Sequence, residues 1–198
     1  MKLSELMANY EPEPDFTGYA TNDDFVLAID ISGTDSTPES DFEVVEMGVA
    51  GLDAQLNPIT QDKTYIRAGQ STQKTGTQRA FKITGDRYMG DAAQDFMLSH
   101  AMKYGTGNKV IVPYVYFCLL TGKGEKGKAS IIVNSDGSGN AGESSAIDID
   151  LRKAGELPTE YTYAAAGAQQ ANAIQTDVQQ AETPAQPENA EEDHEETA

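Results

Sequence analysis

The chain has 198 residues, a length that suits one domain with appendages, and its hydrophobic share of 38% lies below the globular norm. Its 32 acidic and 14 basic residues give a net charge of −18, so it gains no counterion-release energy on phosphate backbones, which argues against tight nucleic-acid binding. Cys118 is the only cysteine and no apolar run reaches transmembrane length, which excludes an intrachain disulfide and a membrane-spanning helix.

Residues 1–22 read as an arm. Leu3, Leu6 and Met7 form one apolar face of a helical turn. Glu11-Pro12-Glu13-Pro14 then stops any helix, because proline lacks the donor and clashes with the preceding turn. The opening residues hold no continuous apolar stretch of the signal-peptide kind. Such an arm either packs on a partner subunit or is a loosely tethered terminus.

Phe25 to Ile31 is a predicted strand, with Phe25, Leu27, Ile29 and Ile31 on one face and Val26, Ala28 and Asp30 on the other. Ser32 to Pro38 is a loop. Asp41 to Val49 resumes strand character through Phe42, Val44, Val45, Met47 and Val49. Gly51 to Gly76 is long and polar, with Asn57-Pro58 and a hint of strand at Tyr65-Ile66. Long polar segments inside compact domains are usually functional or disordered. This one reads as an interaction loop or an extended hairpin.

Gln78 to Tyr88 is a strand with Phe81 and Ile83 inward and Lys82 and Thr84 outward. The one helix follows. Asp91 is its N-cap, Ala92, Ala93, Phe96, Met97, His100, Ala101 and Tyr104 form its stripe, and Gly105 and Gly107 end it. Lys109 to Leu120 is apolar on both faces, as in a strand covered on both sides, and Cys118 within it is a small buried hydrophobe. Gly122 to Gly127 reads as a turn, Ala129 to Asn134 as a strand, and Ser135 to Gly139 as a second turn. Ser145 to Arg152 is the last predicted strand, with Ile147, Ile149 and Leu151 opposite Ala146, Asp148 and Asp150. Beyond Tyr163 the chain is rich in Ala, Gln, Glu and Pro and cannot offset its ordering entropy by burial. The expected organisation is an arm (1–22), a β domain (23–163) and a disordered acidic tail (164–198). The fold class is mainly β, a sandwich or barrel with one packed α-helix.

Candidate motifs reduce to structure. Gly122-Lys123-Gly124-Glu125-Lys126-Gly127 spells a dinucleotide-type glycine pattern, yet a strand follows where a helix is required. Asn134 to Asn140 alternates oxygen ligands as a calcium loop does, but lacks the terminal bidentate Glu. His100 and His194 stand alone, without partners at ligand spacing. No catalytic, cofactor or metal site is expected. Asp30, Asp148 and Asp150 sit on the polar faces of apolar strands. They read as a solvated face in a monomer, or as the lining of an anionic pore in a closed assembly. A glycosidase carboxylate pair has little support, since Trp is absent.

With these elements placed, the chain resembles phage major tail tube proteins of the long, non-contractile type. The wording that carries the resemblance is Gly85-Asp86-Arg87-Tyr88-Met89-Gly90-Asp91-Ala92-Ala93-Gln94-Asp95-Phe96, where a strand runs into the single helix. The opening strand FVLAIDIS, the segment from Asp41 to Gly69 and the closing strand SSAIDIDLRKAGEL also fit, so the likeness spans residues 20–160. It implies hexameric rings stacked into a tube, with each subunit giving strands to a continuous inner barrel. It implies that the long loop reaches the neighbouring ring through Asp62, Lys63, Tyr65, Arg67, Gln70 and Lys74. It also implies that Asp30, Asp148 and Asp150 face the lumen, through which DNA passes without sticking. The implied partners are further copies of the chain and the tape-measure, tail terminator and baseplate or distal tail proteins, with no membrane. The location would be the virion tail, after synthesis in the host cytoplasm. Neighbouring subunits would complete the sheet edges, because the doubly apolar strand from Val110 to Leu120 needs cover on both faces. The alternative from another class is a monomeric β-sandwich binding or adhesin module, which would need an exposed aromatic platform.

Overall fold

Ten strands and three short helices organise the computed structural model, which describes residues 1–33 and 39–163. The expected tail, 164–198, and Thr34 to Pro38 of the first loop lie outside the described residues. Strands β1 (Phe25–Ile29), β2 (Glu43–Val44), β3 (Val49–Gln55), β6 (Ala80–Asp86), β7 (Ile111–Cys118), β8 (Lys123–Ser138), β9 (Ala146–Lys153) and β10 (Thr159–Thr162) make one sheet. Its order is β2-β1-β7-β8-β9-β6-β3, with β10 also paired to β8, and every pairing is antiparallel. Strands β4 (Pro58–Tyr65) and β5 (Gly69–Thr77) form a separate two-stranded sheet. The mainly β fold with one helical segment is therefore what the chain adopts.

The main sheet is strongly curled. Two strands, β8 and β9, separate β7 from β6, a distance of roughly 14 Å in a flat sheet. Yet the Phe81 ring of β6 lies 5.1 Å from the Tyr114 ring and 5.0 Å from the Tyr116 ring, both on β7. Across the opening, Asn22 just before β1 donates from Nδ2 to the Leu52 carbonyl of β3 at 3.3 Å. The concave face holds the main core: Leu27, Ile29, Phe81, Ile83, Val112, Tyr114, Ile131, Ile147, Ile149 and Leu151, with Ala93 and Met97 from the helical segment.

A second core sits on the other face of β1 and β7. Val26, Ala28, Val115 and Phe117 pack there against Leu3, Met7, Phe42 and Tyr161. Leu3 and Met7 come from α1 (Leu3–Met7), which is fastened by the Leu3 N–H donating to the Phe42 carbonyl at 2.8 Å. The first turn of the arm thus packs on its own chain and is not loosely tethered. This also removes the stated reason for expecting neighbours to cover β7, since both of its faces are covered within one chain.

The strand pattern departs from expectation where polar residues lie inside regular structure. The stretch from Gly122 to Gly127 is not a turn: β8 begins at Lys123 and pairs with β7 and β10. Gly124 is needed there because a Cβ would stand 2.1 Å from the Tyr116 carbonyl and 2.4 Å from the Phe117 Cα. The same strand runs through the expected turn at Ser135 to Gly139 as far as Ser138, using two register shifts opposite β9. The strand expected from Asp41 to Val49 breaks after Val44 at a turn in which Gly48 has φ +73. After β9, β10 adds a further strand whose Tyr161 closes the second core. The helix divides into α2 (Ala92–Met97) and α3 (His100–Tyr104), with Ser99 capping the second by accepting from the Met102 N–H. Its buried side is Ala93, Gln94 and Met97, so Ala92, His100, Ala101 and Tyr104 of the expected stripe face outward.

Candidate functional site

The long polar segment folds as an extended hairpin. β4 and β5 pair from Pro58 opposite Thr77 to Tyr65 opposite Gly69, and every β4 residue is exposed. Alternation places Ile59, Gln61, Lys63 and Tyr65 on one face, and Thr60, Asp62 and Thr64, beside Lys74, Thr72 and Gln70, on the other. At the tip, Ile66 is 94% exposed and Arg67 holds the left-handed conformation with φ 68. All six residues expected to act in the loop, Asp62, Lys63, Tyr65, Arg67, Gln70 and Lys74, lie on this hairpin or its turn. An isolated two-stranded hairpin is marginally stable in water, so its uncovered faces invite a partner.

The hairpin differs in charge from the rest of the chain. From Pro58 to Thr77 it carries Lys63, Arg67 and Lys74 against Asp62, a net +2 on a chain of −18, which leaves −20 elsewhere. An extended cationic segment on an acidic protein is directed towards acidic surfaces by long-range attraction.

Asp148 and Asp150 project from the convex face of β9, as expected from the alternation of Ile147, Ile149 and Leu151 into the core. Neighbouring strands bring Lys82 opposite Asp150 and Asp53 opposite Lys82 on that face. The carboxylates are matched: Lys82 Nζ donates to Asp148 at 2.9 Å, and Arg152 donates to Asp150 at 2.8 Å. The hydrogen bonds from Lys82 and Asn134 hold the Asp148 carboxyl below its ordinary range. Asp30 does not join them. It is 2% exposed, accepts from the Ser32 N–H at 2.8 Å, and lines a concavity of about 680 Å³ with Phe42, Tyr114 and Leu157. Sequence alternation missed this because the opposite face of β1 is a second core and not solvent.

The phrase from Gly85 to Phe96 is a bracing network. Gln94, almost fully buried, donates from Nε2 to the Met47 carbonyl at 2.5 Å and the Asp86 carbonyl at 3.2 Å. Its Oε1 accepts from the Tyr88 N–H at 2.9 Å and from Arg87 Nη1 at 3.2 Å. Arg87 also pairs with Asp95, which accepts from the Gly90 N–H. Asp91 caps α2 by accepting from the Gln94 N–H at 2.8 Å. The turn from Arg87 to Asp91 is thereby fixed, with Tyr88 50% and Met89 76% exposed.

A second polar centre, invisible to sequence reasoning, joins Arg79, Glu125 and Tyr114. Arg79 Nε donates to Glu125 at 2.6 Å, and the Tyr114 hydroxyl donates to the same oxygen at 3.2 Å. Burial, and then the Glu125 charge, push the Tyr114 hydroxyl well above its ordinary pKa. Among the described residues, no group of three or more His, Cys, Asp or Glu side chains could hold a metal ion.

No family model matches the chain. No curated protein matches it either. Solved structures do resemble it. The tail of an empty GTA particle with C6 symmetry is 16% identical, with 74% of this chain and 100% of that chain covered and a TM-score of 0.49. The tube terminating cap of an anti-feeding prophage is 10% identical over 76% of this chain and 96% of that one, with a TM-score of 0.47. The sheath–tube complex of an extracellular contractile injection system is 8% identical over 80% and 97%, with a TM-score of 0.41. These similarities do not single out a non-contractile tail.

Proposed function

We propose that the chain is the repeating subunit of a phage-type tail tube, in which copies close into hexameric rings and the rings stack around a channel for DNA. The observation that carries the reading is the twenty-residue cationic hairpin, regular in backbone yet uncovered by its own chain. It stands where the resemblance puts the loop that reaches the next ring, and the Gly85 to Phe96 phrase of that resemblance forms one bracing unit. The convex face of β9 and β6, with Asp148 and Asp150, is the surface we assign to the lumen. Lys82 and Arg152 nearly balance its carboxylates, so repulsion of DNA rests on the acidic excess of the whole assembly and not on this face alone. Copies of the chain are the principal partner; the tape-measure, terminator and baseplate or distal tail proteins meet the tube at its axis and ends. The finished protein resides in the virion tail, having assembled from subunits made in the host cytoplasm.

Negative-stain electron microscopy of the purified protein at high concentration tests this reading. Hollow tubes or six-fold rings are the expected result. Small monodisperse particles, even after tail initiator components are added, would overturn it in favour of a monomeric binding module.

A further inference from the structure

β6 has the hairpin at one end and the braced turn at the other. The hairpin returns to the sheet through Gln78 and Arg79 just before Ala80, and Asp86 leads directly into the turn from Arg87 to Asp91. Seven residues of strand separate the two, roughly 23 Å of rise. The hairpin joins β6 at its Ala80 end and the turn joins it at its Asp86 end, so the two features attach to opposite ends of that strand.

They are complementary in chemistry as well. The hairpin tip offers Tyr65, Ile66 and Arg67: two exposed apolar side chains and a cation. The turn offers Tyr88 and Met89 with Met47 beside it, 41% exposed. Carboxylates adjoin that apolar patch along the chain: Asp86 directly precedes the turn and is exposed, Asp95 is exposed, engaged by Arg87 and accepts from the Gly90 N–H, and Glu46, next to Met47, is partly exposed. Burial, and then the neighbouring Asp91 and Glu43, hold Glu46 above its ordinary range although the amino terminus opposes them, so an incoming cation would relieve it. The patch is also rigid, because Gln94 fastens the backbone on both sides of it. A turn whose backbone is already fixed loses little backbone entropy when a partner covers it.

We infer that the turn from Arg87 to Asp91, with Met47 and Asp86, is the surface on which the hairpin tip of a second copy docks. The inference rests on the stacked-ring reading and adds the receiving surface to it. A donor and an acceptor at different places on one subunit make a heterologous contact. Such a contact propagates as an open stack when its rotation closes no ring, as the stacked-ring reading requires.

Two cysteine variants test it, Ile66→Cys and Met89→Cys; both sites are exposed, and Cys118 is buried. Mixed in one assembly and oxidised, they should give a disulfide-linked dimer that neither forms alone. A chain carrying both should give a ladder of linked oligomers. A charge exchange is the second arm. Arg67→Glu should raise the concentration needed for assembly by about tenfold, the effect of a single interfacial charge pair, and Asp86→Arg in the same chain should restore it. Tubes or rings that form without cross-links, and without rescue, would overturn this docking surface while leaving the tube reading intact. A chain that never assembles would overturn both.

Discussion

Arg79 places its guanidinium carbon 4.4 Å from the centre of the Phe81 ring while its Nε donates to Glu125 at 2.6 Å. The Tyr116 ring lies on the same cation at 5.0 Å. One arginine therefore ties β6 to β7 and β8 inside the curl of the sheet, through a planar group that both stacks and forms a directed bond.

Arg79→Met should lower stability by about 2 kcal/mol, below the ~3–5 kcal/mol of a fully buried pair because Glu125 is 24% exposed. Arg79→Lys should recover only part of the loss, since an ammonium cannot both stack and hold that geometry. Urea unfolding midpoints of the three proteins check this. Equal midpoints would mean that the network does not contribute.

Alternation was enough to orient β6 and β9: Phe81, Ile83, Ile147, Ile149 and Leu151 all point into the core as their spacing predicts. The doubly apolar run containing β7 announced its two covered faces. What alternation could not show was which segments supply the cover. The Leu3, Leu6 and Met7 turn reaches β1 only through tertiary packing, and so Asp30 reads as surface while being 2% exposed in a concavity that Phe42 also lines. The Gly122 to Gly127 stretch reads as a turn because glycine is usually punctuation. Here glycine leaves room for the crowded backbone and rings of β7. The hairpin was legible as a long polar segment and its six named residues as its surface, but its receiving turn was not. Tyr88 and Met89 carry no period and stand out only once Gln94 is seen to fix them.

Gly85→Ala should be among the most damaging single-methyl additions in this protein. A Cβ there would lie 2.1 Å from the Gly48 carbonyl and 2.8 Å from the Ala50 nitrogen, all of it backbone that cannot give way singly. The expected cost is about 2–4 kcal/mol, above the usual overpacking penalty because the clash involves two backbone segments. A chemical denaturation curve is the measurement, and a loss of stability below about 1 kcal/mol would show that β3 can move away.

Acid should weaken the contact between Lys126 and Glu39. Burial pushes the Glu39 carboxyl up, but the hydrogen bond from Lys126 at 2.5 Å, its own backbone and the ammonium charge outweigh that and hold it below its ordinary value. A depressed carboxyl contributes stability that is present above its unfolded pKa and is lost as pH falls through the folded one. The pair is partly exposed and screened by solvent, so the contribution is under about 1 kcal/mol. In Lys126→Met both Lys126 contributions are lost, and burial is opposed only by the backbone hydrogen bond of Glu39. The difference in stability between wild type and variant should therefore be larger at about pH 6 than at about pH 3, on either side of the ordinary carboxylate range. A difference that does not change with pH would refute the assignment.

Removing the hairpin should separate folding from assembly. Gln78 N–H donates to the Asn57 carbonyl at 3.2 Å, so the two chain ends already meet at the hairpin base, and two glycines can join Asn57 to Gln78 in place of Pro58 to Thr77. No hairpin residue belongs to either core. The shortened chain should therefore unfold within a few degrees of the full one, in a transition that remains cooperative, because a change of ~1 kcal/mol moves the midpoint of a domain this size by only about 2–4 °C. Its assembly should nevertheless fail at the step that joins one ring to the next. Single rings without stacks, seen by electron microscopy at a concentration where the full chain forms tubes, are the expected outcome. Tubes of normal length would show that axial contacts lie elsewhere on the sheet. A large fall in the thermal midpoint would show instead that the hairpin supports the body from which it projects.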